Sequence, residues 1–208
     1  MRWAGRRHPR FHSRQRAPAL LQQQPALPRE LSQDEVASLV QASDDDSRLA
    51  ALLLLSGVSP DEALALRWSD VDLAGNRIHV GGGAARDIAL HDSLRALFAS
   101  RAAAARSEFV LGEEGGPASR DTVNAQILCG AHDAGIESAI DVTPDCLRHT
   151  YVAFLVRQGI RFADLTRLVG PLPAGVLGAY SALSPTGPRV PREEINVVFS
   201  AFRSRESA

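Results

Sequence analysis

Leu49, Leu52, Leu53, Leu54 and Leu55 are separated only by alanines, follow the helix-opening residues Asp46 and Ser47, and run out at Gly57. A helix that is apolar on nearly every side is stable in water only when other elements cover all of it. The segment therefore predicts a central core helix, and with it a mainly helical domain wrapped around that helix. The apolar stretch falls far short of the roughly 20 residues of a bilayer span. No signal-peptide pattern precedes it, so the expected setting is cytoplasmic.

The flanking grammar supports the helical reading. Ser32-Gln33-Asp34-Glu35 and Ser59-Pro60-Asp61-Glu62 are capping boxes, the second reinforced by proline at the first helical position. The first opens a helix with Val36, Leu39 and Val40 on one face, and the second opens a short helix through Leu66. Arg77–Val80 and Arg86–Leu90 read as two short strands joined through Gly81-Gly82-Gly83. Helices are expected from Ser93 to Ala105, Arg120 to Ala134, Thr143-Pro144 through Gln158, Arg161 to Leu168, Val176 to Ala182 and Pro191 to Arg203. The fold class is mainly α with a small antiparallel β-hairpin, an α+β domain. Its expected divisions are a basic arm over residues 1–30, a body over 31–190 and a C-terminal amphipathic helix and tail over 191–208.

Charge separates the arm from the body. All 23 basic residues are arginines, and seven of them (Arg2, Arg6, Arg7, Arg10, Arg14, Arg16 and Arg29) precede Leu31 against the single acid Glu30. The remainder sets 16 arginines against 23 acids, a formal charge of -7. Phosphate neutralisation supplies most nonspecific DNA affinity, so this body is poorly suited to hold DNA unaided. The first six arginines of the arm are the candidate DNA contacts. The same arm could lie on anionic lipid if the chain is a piece of a longer, membrane-anchored protein.

Several motifs combine into a resemblance. The order Leu52-Leu53-Leu54-Leu55-Ser56-Gly57-Val58, then Leu64-Ala65-Leu66-Arg67-Trp68-Ser69-Asp70-Val71-Asp72, a hairpin, Thr143-Pro144 with Leu147-Arg148-His149-Thr150, Leu168-Val169-Gly170 and finally Tyr180 resembles the catalytic domain of tyrosine recombinases, the phage integrase family. The resemblance covers about Leu31 to Leu183. It implies a tyrosine that attacks a DNA phosphodiester to form a 3'-phosphotyrosyl link, with no metal or nucleotide cofactor. It also implies two arginines gripping the non-bridging oxygens, a hairpin lysine as general acid, and histidines that move protons. Arg148, His149 and Tyr180 are the positions that match.

Elsewhere the chain departs from that pattern. Ser59 stands where the first arginine belongs, and its place in a capping box already explains it. The chain has no lysine, so Gly81 or Gly82 fills the hairpin position; Arg86 lies nearby but stays protonated at any ordinary pH. Asp145 replaces one histidine, free to pair with Arg148 or to favour the first turn of its helix, and Pro171 replaces the other. Each lost charge-stabilising donor costs roughly 2.7–4 kcal/mol of transition-state stabilisation. An unassisted phenol, with a pKa near 10, is a weak nucleophile at neutral pH.

Other chemistries find less support. Cys129 and Cys146 lack metal-ligand or disulfide-framework spacing, His79, His91 and His132 form no ligand set, and Asp44-Asp45-Asp46 reads as a solvated turn and helix N-terminus. The expectation is a catalytically silent recombinase-like domain that binds proteins or copies of itself, with Ile195, Val198, Phe199 and Phe202 as the partner-binding stripe. The alternative is a DNA-binding site-specific recombinase acting through Tyr180.

Overall fold

The computed structural model describes residues 27–113, 116–189, 195 and 199–202. The six arm arginines from Arg2 to Arg16, and Val198, lie outside the described residues, as does most of the helix expected from Pro191 to Arg203. Eight helices are described: α1 (Gln33–Ala42), α2 (Asp45–Leu55), α3 (Pro60–Ala65), α4 (Asp92–Ala102), α5 (Arg120–Asp133), α6 (Pro144–Arg157), α7 (Phe162–Val169) and α8 (Ala174–Ser181). A three-stranded antiparallel sheet, β1 (Val71–Asp72), β2 (Arg77–Val80) and β3 (Arg86–Ala89), lies between α3 and α4, and a small pair, β4 (Gly112–Glu113) with β5 (Gly116–Pro117), precedes α5. The mainly α domain with a small antiparallel sheet is thus as the sequence implies, with one strand and one minor ribbon more.

Helix α2 sits at the centre. Every residue from Leu49 to Leu55 is fully buried, and α1, α3, α4, α5 and α6 all pack on it. Its N-cap is Asp44, two residues before Asp46 and three before Ser47: Asp44 keeps an extended backbone while its carboxylate accepts the Ser47 N–H at 2.8 Å. Asp45 and Asp46 instead occupy the first turn, where the helix dipole favours acids. At the other end, Gly57 turns the chain with φ 91°, and a Cβ there would meet Val169 Cγ1 at 2.8 Å. That close approach brings the end of α2 against α7 and against Tyr151 of α6.

Helix α6 is the second buried element. Thr143 caps it by accepting the Cys146 N–H, Pro144 starts it, and Leu147, Tyr151, Val152, Leu155 and Val156 are almost wholly enclosed. The three-stranded sheet buries one face only: Ile78, Val80 and Ile88 point inward, while Arg77, His79 and Asp87 face solvent. The pairing of Val80 with Arg86 places Arg86 at the inner end of β3, where that strand meets α7. The stripe expected to face a partner turns onto this chain: Ile195 and Phe199 are buried, and Phe199 packs between Tyr151 and Phe154. No helix among the described residues is long and apolar enough to cross a membrane.

Candidate functional site

The site grows from the capping box of α3. Ser59 Oγ accepts the Glu62 N–H at 3.3 Å, and the Glu62 carboxylate accepts the Ser59 N–H at 2.8 Å. Ser59 Oγ and Glu62 Oε2 are thereby tied to the start of the helix. Ser59→Ala is expected to lower stability by about 1 kcal/mol, and Ser59→Gly by only a few tenths, in urea denaturation.

The same Glu62 carboxylate takes a bidentate ion pair from Arg86, with Nη1 at 2.7 Å and Nη2 at 2.9 Å. Arg86 Nε donates to Leu168 O at 2.7 Å, and Nη2 leans on Gly57 O at 3.5 Å. Burial works against the Glu62 carboxylate, but the Arg86 and Ser59 bonds outweigh it and hold its pKa below the usual value. Gly170 makes room: a Cβ there would stand 3.0 Å from Arg86 Nη1.

Arg148, on α6, reaches the same junction. Its Nε reaches the same Gly57 carbonyl at 3.4 Å, and Nη2 donates to Val169 O at 2.6 Å. Two guanidinium groups therefore converge on the junction of α2 and α7, and both bond to the last carbonyls of α7. Helix C-termini leave such carbonyls without partners and carry partial negative charge, so they attract cations. Burial lowers the Arg148 pKa, and Arg86 adds to this, while Glu62, Tyr180 and Asp145 favour the charged form. Asp145 lies exposed in the first turn of α6 and acts on Arg148 only through its charge.

Tyr180 is 3% exposed, the one buried side chain of α8. Its hydroxyl lies 2.7 Å from His149 Nδ1, with the two rings stacked at 5.4 Å between centroids. Burial pushes the phenol pKa up to about 12 despite the opposing pull of Arg148. Burial likewise lowers the His149 pKa, leaving a neutral imidazole as the phenol's partner. Pro171 follows Gly170 in the exposed link before α8, and Gly81–Gly83 form an open loop where an added Cβ would meet nothing within 4 Å.

The structure thus brings Arg148, His149 and Tyr180 together and adds Arg86 and Glu62, which sequence reasoning did not join. No signal in spacing marks that ion pair; only the burial of an acid beside an otherwise apolar segment demands a cation. Among the described residues no group of three or more His, Cys, Asp or Glu could hold a metal ion, and both cysteines are free thiols.

Comparison with known proteins shows the family and the fold. The phage integrase family matches residues 29–171, a span that stops short of Tyr180. The tyrosine recombinase XerA of Thermococcus kodakarensis is 29% identical over 156 residues, 70% of this chain and 55% of that protein. The tyrosine recombinase XerC of Xanthomonas axonopodis pv. citri is 28% identical over 170 residues, 74% of this chain and again 55% of the relative. The chain therefore spans little more than half the length of these proteins. A crystal structure of XerA recombinase superposes over 93% of this chain and 68% of its own with a TM-score of 0.66 and 20% identity. The XerH recombinase bound to a palindromic difH substrate, in a post-cleavage complex, gives 0.64 over 76% of this chain and 51% of its own at 16% identity. With most of its length matched by the family and its fold shared with these structures, the chain belongs to the phage integrase family and has the fold of a tyrosine recombinase catalytic domain.

Proposed function

We propose that this domain is a catalytically silent tyrosine-recombinase fold that serves as a binding module. The observation that carries the reading is the seat of Tyr180: its hydroxyl is buried, bonded to His149 at 2.7 Å and held as a phenol with its pKa near 12. A nucleophile must reach its phosphate as an oxyanion or beside a base that takes its proton. Here the base contact is internal, and leaving it would uncover both rings. The cations speak the same way, since Arg86 is bound by Glu62 and Leu168 and Arg148 by Val169 and Gly57.

The other reading, an active site-specific recombinase, draws on one feature: Arg148 and Tyr180 lie close enough for the arginine's charge to favour the phenolate. The relatives bear the name recombinase, and XerH was captured on its DNA substrate. Strand transfer would require Tyr180 to leave His149 and a cation from elsewhere to supply the charge that Ser59 lacks. On nicked suicide DNA the protein is expected to form no phosphotyrosyl adduct, as read by denaturing gel. An adduct that disappears in Tyr180→Phe would overturn the silent reading.

For binding, the arm arginines Arg2, Arg6, Arg7, Arg10, Arg14 and Arg16 are the contacts suited to nucleic acid, because the body after Leu31 is acidic. A second copy or another protein would meet the stripe of Ile195, Val198, Phe199 and Phe202 only once it leaves this body, because Ile195 and Phe199 are buried against it.

A further inference from the structure

The C-terminal turn Ser200–Phe202 lies on the body beside α1 and α4. Phe199 fits against Tyr151 and Phe154, with ring centroids at 5.2 and 4.7 Å. Phe202 rests on a different support: it stacks on the imidazole of His91 at 3.9 Å, with the ring planes 22° apart. His91 plays no part in the site around Tyr180.

Both nitrogens of His91 are engaged in a way that only the neutral ring allows. Nδ1 accepts the Leu94 N–H at 3.3 Å and so caps α4. Nε2 lies 3.3 Å from Ser56 Oγ, and that hydroxyl gives its own proton to Leu52 O at 2.7 Å. Ser56 can therefore only accept, which places the imidazole proton on Nε2 and leaves the Nδ1 lone pair for the cap. A second proton could bind only at Nδ1, where it would point at the Leu94 N–H and end the capping bond.

The surroundings offer the resulting cation nothing in return. Ser56 faces the ring from α2, Phe202 covers it from the C-terminal turn with Tyr151 of α6 behind, and α4 itself brings Asp92 and Arg95 nearby in sequence. Among the described residues none of these charges shifts its titration, and burial alone drives the His91 pKa down to about 3. The phenyl face attracts an imidazolium, but stacking replaces neither the lost cap nor the lost water.

We propose that His91 is a proton-operated latch for the C-terminal turn. Neutral, it caps α4 and forms the face on which Phe202 sits; protonated at Nδ1 by solvent, it abandons the cap, and the turn lifts off the body. Release bares the aromatic seat of Tyr151 and Phe154 together with the imidazole.

Proton linkage gives the direction and size. The seated pKa near 3 lies below the ordinary 6.5, so the latch holds fully above pH 6.5 and weakens as the pH falls toward 3. Between pH 7 and pH 5 the ratio of seated to released turn should fall by up to about 25-fold, the limit reached when the released ring titrates at the ordinary 6.5.

Hydrogen exchange on the full chain, corrected for intrinsic rates, tests this at the Phe202 amide, which is bonded to Phe199 O at 3.0 Å. Protection at that amide is expected to drop by up to about 25-fold from pH 7 to pH 5 while amides of α2 keep theirs. His91→Asn retains a capping acceptor that does not titrate, and its Phe202 protection should stay flat. The latch is overturned by unchanged wild-type protection, by an equal drop in His91→Asn, or by a parallel loss in α2 that signals global unfolding. Should His91→Asn release the turn at every pH, the His91 ring decides by NMR titration in Phe202→Ala. A pKa climbing toward 6.5 supports the latch, and one that stays near 3 overturns it.

Discussion

Arg86→Met is expected to destabilise the domain by about 3 kcal/mol, toward the lower end of the 3–5 typical when one partner of a buried ion pair is removed. Arg86 is 7% exposed and Glu62 22%, so the stranded carboxylate would retain some water. The loss would not stop at the pair, because Arg86 also closes the C-terminal end of α7 through Leu168. Urea denaturation measures it, and the double variant Arg86→Met/Glu62→Gln should recover part of the deficit by removing the orphaned charge. Acidity supplies a second check. The Glu62 pKa is depressed, so its contribution is present above the ordinary carboxylate value of 4.5 and disappears as the pH falls below it. In Arg86→Met that acid-side loss should shrink. A cost under about 1 kcal/mol would mean that the ion pair is not what joins α3, β3 and α7.

Tyr180 gives the second large effect, and the two halves of its side chain can be read separately. Tyr180→Ala is expected to cost about 3–5 kcal/mol, since it removes the one buried side chain of α8 and leaves a cavity beside α6. Val176, Leu172 and Leu183 are only partly buried and would not hold the helix alone. Tyr180→Phe keeps the ring but leaves His149 without its partner in a buried setting, at a cost of about 1–3 kcal/mol. A residue retained for chemistry alone would tolerate phenylalanine with little change in stability. A neutral Tyr180→Phe would therefore remove the basis for calling the tyrosine a structural plug.

How much of this was legible depends on how far apart the partners lie. Ser32, Ser59 and Thr143 cap helices through groups three residues away, so local pattern finds them. The full burial of α2 follows from its own composition, and the family follows from the segments around Trp68 and Arg148. Arg86 and Glu62 are 24 residues apart and His149 and Tyr180 are 31 apart, and only the packing of β3 and α8 makes them neighbours. From the sequence His91 is weighed only as a metal ligand, because histidine is an uncommon cap and its role depends on a turn more than a hundred positions later. Among three consecutive aspartates, composition cannot choose Asp44 over its neighbours; the choice rests on which one keeps an extended backbone. The strand β1 is two residues long and exists only because β2 lies beside it.

The Gly57 carbonyl, shared by Arg148 and Arg86, has a bearing on the history of the fold. Peptide oxygens of Gly57, Leu168 and Val169 accept from these two guanidinium groups, so the junction of α2 and α7 rests in part on Arg148, the one arginine that matches the family pattern. This works as a ratchet. Ser59→Arg would forfeit a helix cap worth about 1 kcal/mol before any catalytic gain, and would bring a third cation to a junction that holds one carboxylate. Freeing Tyr180 would cost the plug of α8. On the silent reading proposed above, each single step toward strand cleavage runs uphill in stability, so activity would have to be restored by several changes made together.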